Sequence, residues 1–188
     1  MVILLILLGI IFCGLIAGLV MCPRARAAQG ALATRVQALA TRTGWRTTRD
    51  PVPPVQEAFP GINEVLGSTF HHGIAANLQL AGQWRGVPVR VLQLRFRTAH
   101  IATTRGAVLV MAPNPVPGPP VLVRSADDGA LRGLPPAIGQ RLAAGPPVPA
   151  LFLTPQHVAV LLHGEIAPDT AIAAADLVTD LHQRMAVR

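Results

Sequence analysis

The feature that most constrains this chain is an uninterrupted apolar stretch near its start. Residues 2–21 read VILLILLGIIFCGLIAGLVM and contain no charge, amide, hydroxyl or proline. At about 1.5 Å per residue, a helix of this length would be about 30 Å long, which matches the hydrocarbon core of a bilayer. A helix also satisfies its own backbone hydrogen bonds in lipid. The sequence therefore predicts a transmembrane helix over residues 2–21.

A cleaved secretory signal is the competing interpretation of this stretch. Ala25-Arg26-Ala27 has the A-x-A pattern of a cleavage site. A signal peptide, however, places positive charge before a shorter apolar core of about 7–15 residues. No Lys or Arg precedes this stretch, and arginines flank the A-x-A pattern. The sequence favours a retained anchor.

The charges after the stretch predict its orientation and its nearest partners. Four arginines follow it closely: Arg24, Arg26, Arg35 and Arg42. Since positive charge near a span stays in the cytoplasm, we expect a single-pass protein of the cell membrane with a cytoplasmic C-terminal domain. The same arginines are predicted to contact anionic lipid headgroups. Gly14 and Gly18 have the G-x-x-x-G spacing, so self-association is an alternative to a lone anchor.

The basic composition does not by itself indicate nucleic acid. The net charge is +7 and the pI about 11.5, with no lysine at all. There is no Tyr, and the few aromatic residues do not alternate with arginines as a base-stacking surface would need. We therefore expect no nucleic-acid partner. The two cysteines, Cys13 and Cys22, lie in or beside the apolar stretch, so no disulfide is expected in the rest of the chain.

After the span, residues 22–43 are predicted to form a juxtamembrane helix or connector. Leu32, Val36 and Leu39 share one helical face, while Arg35 and Arg42 lie on another. Residues 44–188 then form a small domain with proline-rich loops. Alternation of apolar and polar residues predicts strands at 76–82 and 88–97. A short strand is predicted at 45–48, an apolar strand at 107–112 and a hairpin of strands at 150–153 and 157–163, and pairing is predicted to resume at 121–123.

The last element is predicted to be an amphipathic helix over residues 169–186. Its apolar stripe consists of Ala171, Ala174, Val178, Leu181 and Met185. Asp169 is placed to cap the helix, and Asp180 with Arg184 forms an i,i+4 pair.

The predicted fold class is α+β, with a mainly antiparallel sheet and this helix packed on one face. Five apolar side chains are expected to point toward Val178, Leu181 and Met185: Leu78, Leu80, Leu92, Leu94 and Phe96. Gln93, Arg95 and Arg97 are then expected on a solvent-facing side.

Three segments carry a resemblance to a known group of proteins. They are Leu39-Ala-Thr-Arg-Thr-Gly-Trp45, Gly82-Gln-Trp-Arg-Gly-Val-Pro88 and Val108-Leu-Val-Met-Ala-Pro113. Together with the apolar N-terminal stretch, they resemble uncharacterised actinobacterial single-pass membrane proteins. The resemblance implies a membrane-anchored α+β domain and carries over no catalytic residue.

No motif predicts a catalytic, cofactor or metal site. Ser68 and Ser125 do not lie in a G-x-S-x-G motif. His71, His72, His100, His157 and His163 lack the cysteines or acidic residues at ligand spacing that would indicate a metal site.

The sequence favours a non-enzymatic, membrane-anchored interaction or scaffold domain. The alternative is a membrane-tethered hydrolase or ligand-binding enzyme with a cleft near His71, His72, Asp127 and Asp128.

Overall fold

The computed structural model of the chain describes residues 30–52, 54–67, 73–98, 101–124, 136, 139–140 and 150–187. The predicted span at 2–21 lies outside these residues. No helix in the described part of the chain has the length and apolar character that a membrane span needs.

Seven strands and several helices make up the described structure, and residues 136, 139 and 140 are helical as well. The strands are β1 (Arg46–Thr47), β2 (Ile74–Trp84), β3 (Val87–Thr98), β4 (Ile101–Pro113), β5 (Val121–Val123), β6 (Ala150–Leu153) and β7 (His157–His163). The helices are α1 (30–43), α2 (Val55–Ala58), α3 (Ile62–Leu66) and α4 (Pro168–Ala186).

The seven strands form one antiparallel sheet in the order β1-β2-β3-β4-β7-β6-β5. This confirms the predicted α+β class with a C-terminal helix. The ends of β6 and β7 agree with the prediction, whereas β4 begins at Ile101 rather than at 107. The early part of β4 is rich in threonine and includes Arg105, so it lacks the apolar alternation that marks a strand.

The sheet is covered on both faces, which corrects the expectation of half-buried strands. On one face, α1 and α4 contribute to a core that includes Leu39, Val89, Val91, Val178 and Leu181; we call it the α1/α4 core. On the other face, α2 and α3 contribute to a core that includes Phe59, Ile62, Leu92, Leu94 and Phe96; we call it the α2/α3 core.

The predicted contact of Leu92, Leu94 and Phe96 with the C-terminal helix is therefore wrong. These three side chains are buried in the α2/α3 core, while the valines of β3 face α4. Leu80 does pack in the α1/α4 core as expected, and Leu78 is half-buried. The error arose because α2 and α3 are each only one turn long and lie among prolines and glycines, so no helical periodicity marked them as a second layer.

Helix α4 has the predicted apolar stripe, and its five members are all buried. The Asp180 carboxylate pairs with Arg184 at 3.0 Å, as expected. Asp169, however, does not cap the helix. The N-cap residue is Ala167, Pro168 follows it, and the Asp169 carboxylate instead lies 2.6 Å from the Arg42 guanidinium of α1. Proline at the first position suits a helix start because its missing N–H would have had no partner there.

Two tryptophans fix the turn end of the β2–β3 hairpin to the helices. Arg85 and Gly86 form its two-residue turn, both with positive φ, which suits the twist of the strands. The Trp84 indole donates to the Asp176 carboxylate of α4 at 2.8 Å, and Arg85 pairs with the same carboxylate at 2.7 Å. The Trp45 ring packs edge-on against Trp84, with 5.7 Å between ring centroids. The segment Gly82–Pro88 is thus a structural motif that joins the sheet to α4.

Candidate functional site

The residues of the predicted enzymatic cleft lie outside the described part of the chain. This holds for His71, His72, Asp127 and Asp128, so the hydrolase alternative remains a prediction. Among the described residues, no group of three or more His, Cys, Asp or Glu side chains could hold a metal ion.

His157 is a half-buried histidine at the start of β7. Its ring lies 5.9 Å from that of Phe59, centroid to centroid, and its Nδ1 is buried without a partner among the described residues. Burial, and then the positive charge of Arg90, lower the pKa of His157. Both effects disfavour the protonated ring. The structure therefore holds His157 in its neutral form at neutral pH.

The arginines predicted to contact lipid headgroups have carboxylate partners where the structure describes them. The Arg35 guanidinium lies 2.8 Å from one oxygen of Glu165, and Arg95 of β3 lies 3.0 Å from the other. Arg42 pairs with Asp169. Arg24 and Arg26 lie outside the described residues. Two of the four arginines assigned to the membrane thus have carboxylate partners within the domain, and Arg35 shares its partner with Arg95.

Glu165 is held in place by the buried side chain of Gln93. The Gln93 Oε1 accepts a hydrogen bond from the Ile166 N–H at 2.7 Å, and its Nε2 donates to the carbonyls of Ala107 and Gly164 at 3.1 and 3.3 Å. Gln93 is 0% exposed, so the expectation of a solvent-facing side chain is wrong. Arg95, which was also expected in solvent, pairs with Glu165 together with Arg35, and these three residues form an ion-pair cluster. The cluster joins α1, β3 and the segment before α4.

An open cleft of about 480 Å³ lies at the β1–β2 edge of the sheet. Residues 47–50 and Val52 line one side, and residues 76–79 of β2 line the other; we call it the β2-edge cleft. It forms because β1 pairs with β2 only at Leu80 and Ala81, after which the chain turns toward α2. A bulge between Ala76 and Leu78 bends β2 at the same level. Its volume is in the range of small-ligand sites, about 300–1,000 Å³.

Gln79 lines this cleft with a buried amide that has no hydrogen-bond partner among the described residues. The residue is 5% exposed, and neither its Oε1 nor its Nε2 is bonded. Leu80 faces the α1/α4 core, so by strand alternation Gln79 points to the opposite side. Leaving a buried polar group unpaired costs about 1–3 kcal/mol. Among the described residues that line this cleft, Gln79 is the one whose buried amide has no hydrogen-bond partner.

The sequence predicted none of this site. Asn77 to Ala81 reads as an ordinary alternating strand, and nothing in that pattern shows that α2 and α3 cover the face to which Gln79 points. The one available signal was the glutamine itself, an amide beside leucines on both sides.

Comparisons with known proteins add no assignment. No family model matches the chain, and no characterised protein or solved structure matches it significantly. The resemblance to actinobacterial membrane proteins remains a prediction.

Proposed function

We propose that the chain is a non-enzymatic, single-pass membrane protein whose α+β domain lies on an anionic, cytoplasmic membrane surface and binds a partner there. Residues 2–21 are the anchor in this proposal, and residues 22–29 connect it to α1. The first half of α1 would then be the part of the domain closest to the bilayer.

The observation that carries the proposal is the arginine-bearing end of the β3–β4 hairpin. Arg35 of α1 and Arg95 of β3 bind the same carboxylate, so the first half of α1 and this end of the sheet lie together. Arg97 lies two residues further along β3 and is exposed. Arg105 of β4 is opposite Phe96 in the register and is exposed as well. No described carboxylate pairs with Arg97 or Arg105, so their charges are free for headgroups.

The expected strength of this contact follows from the number of free charges. Arg97 and Arg105 replace Arg35 and Arg42 in the predicted lipid contact, alongside Arg24 and Arg26. At about 1 kcal/mol for each arginine near an anionic surface, four contribute about 4 kcal/mol. That corresponds to a factor of about 10³ in the equilibrium between the domain bound to the membrane surface and the domain detached from it. The attraction weakens as salt shortens the Debye length below about 10 Å.

Hydrogen exchange on the full chain in lipid nanodiscs tests the proposal. With anionic lipid, the amides of residues 95–98 and 104–106 should exchange more slowly than with neutral lipid, and Arg97→Glu should reduce the difference. Arg46→Glu, which changes an exposed arginine of β1, is the matched control and should leave it unchanged. Equal exchange in anionic and neutral discs would contradict the proposed membrane contact.

A further inference from the structure

The β2-edge cleft exposes a length of β2 that has no strand partner on its outer side within the described part of the chain. The Thr48 N–H donates to the Gln79 carbonyl at 3.1 Å, which is the last described backbone contact between the two segments. The Asp50 N–H then bonds the Thr48 hydroxyl, and this local turn directs the chain away from β2. Among the described residues, no strand pairs with residues 74–79 of β2 on this side. The edge is therefore open to another extended segment.

The cleft also contains a buried side-chain amide that has no hydrogen-bond partner among the described residues. The amide of Gln79 offers donors at Nε2 and an acceptor at Oε1, and none of them is used among the described residues. In the same sheet, both ends of the Gln93 amide are hydrogen-bonded to the main chain. Its Nε2 donates to a carbonyl and its Oε1 accepts from an N–H. A peptide group offers this same combination, an N–H beside a C=O.

The charges at the cleft favour a peptide over a charged small molecule. Arg49 and Asp50 are both exposed and adjacent, so their charges balance each other. Asn77 and the threonines add neutral hydrogen-bonding groups, while Val52, Ala76 and Leu78 provide apolar contact. A neutral, mixed surface along an open strand is typical of sites that bind a peptide by strand addition.

We propose that the β2-edge cleft binds an extended peptide segment of a partner protein, which adds to β2 as a strand and hydrogen-bonds the Gln79 amide through one of its peptide groups. This inference names the partner class of the interaction domain and rests on the proposed function in that respect. Peptide binding requires no lipid contact, so this inference and the proposed membrane contact can fail separately.

The experiment uses the full chain in neutral detergent micelles, where membrane contact plays no part. A display library of random linear peptides is selected on the protein, and the strongest binder is labelled for fluorescence anisotropy. Gln79→Met removes the amide with little change of side-chain length, and Gln83→Met changes an exposed glutamine of the same strand as the control. Gln79→Met should weaken peptide binding by about tenfold or more, and Gln83→Met should leave it unchanged.

A stability measurement separates a binding role from a structural one. Because the amide is unpaired, Gln79→Met should keep or raise the melting temperature of the peptide-free protein. Gln93→Met should lower it, since that change leaves the Ile166 N–H without its acceptor. A lower melting temperature for Gln79→Met would show that the amide stabilises the fold and would overturn the inference.

The mode of binding is tested on the selected peptide itself. Two versions of the peptide are methylated on alternate backbone nitrogens, one in each of the two possible registers. One version should lose binding, because strand addition depends on the main-chain N–H groups along one edge of the peptide. Failure to select any peptide, equal binding to the Gln79→Met protein, or binding unaffected by methylation in both registers would each overturn the inference. A dimer formed through this edge in place of peptide binding would also overturn it.

Discussion

Two glutamines on adjacent strands illustrate how one residue type serves different roles. Gln93 is fully buried and bonds groups from β3, β4 and the segment before α4, so its amide holds those parts together. Gln79 is nearly as buried but has no bonded amide atom among the described residues. A buried, satisfied amide is a structural device, whereas a buried, unsatisfied one beside a cleft suggests a binding residue.

His157 should make the stability of the domain depend on pH. Burial and Arg90 lower its pKa in the folded state, whereas the unfolded chain has the ordinary value of about 6.5. Below that value the unfolded state therefore binds more protons, so this contribution is complete above about pH 6.5 and is lost as pH falls through the folded-state pKa. The His157→Gln protein should lose less stability than the wild type between about pH 7 and about pH 5 in denaturant titrations.

His163→Gln provides the control for this measurement. His163 lies on the same strand and is exposed, so replacing it should leave the wild-type pH dependence in place. The interpretation is wrong if His157→Gln and the wild type lose equal stability over that range.

At the scale of elements, the long and regular parts of the fold were predictable, and the short ones were not. The helix α4 has clear periodicity, and β6 and β7 are apolar segments on either side of a turn, so the sequence placed all three to within about a residue. The one-turn helices α2 and α3 have no periodicity to read, yet they contribute to the core on the second face of the sheet. Because these helices were missed, Leu92, Leu94 and Phe96 were predicted on the wrong face of the sheet. The β2-edge cleft depends on the bulge in β2 and on the turn of the chain after β1, and only the three-dimensional structure reveals these two features.

The contact of β1 with β2 depends on a glycine opposite a tryptophan. The Trp45 ring lies directly over Gly82, and a Cβ at that position would overlap the ring. The Trp45 indole also donates to the Gln83 carbonyl at 3.1 Å, so the ring cannot move without losing that bond. We expect Gly82→Ala to lower the free energy of unfolding by about 1–3 kcal/mol, as overpacking does, and to change the tryptophan fluorescence.

Gly118→Ala is the matched change for this prediction. Gly118 has open space around its Cα and no positive φ, so alanine there should leave stability and fluorescence unchanged. An equal loss of stability in the two variants would show that the packing of Trp45 on Gly82 is not the cause.

At the scale of the whole molecule, the β3–β4 end and the opposite end of the sheet are chemically different. The first has the exposed Arg97 and Arg105, and the second ends in the proline-rich segment after β4. Strand β4 has 13 residues, so at about 3.3 Å per residue its ends are roughly 40 Å apart. The proposed orientation therefore predicts a large difference in distance from the membrane along a single strand.

Fluorescence quenching by lipid headgroups measures this orientation most directly. In a full chain with Cys13 and Cys22 replaced by alanine, one cysteine is introduced at the exposed Thr104 or at the exposed Gly118 and labelled with a fluorophore. In anionic vesicles that contain headgroup-quencher lipids, the label at 104 should be strongly quenched and the label at 118 should not. Stronger quenching at 118, or equal quenching at both, would contradict the proposal that the domain rests on the membrane through its β3–β4 end.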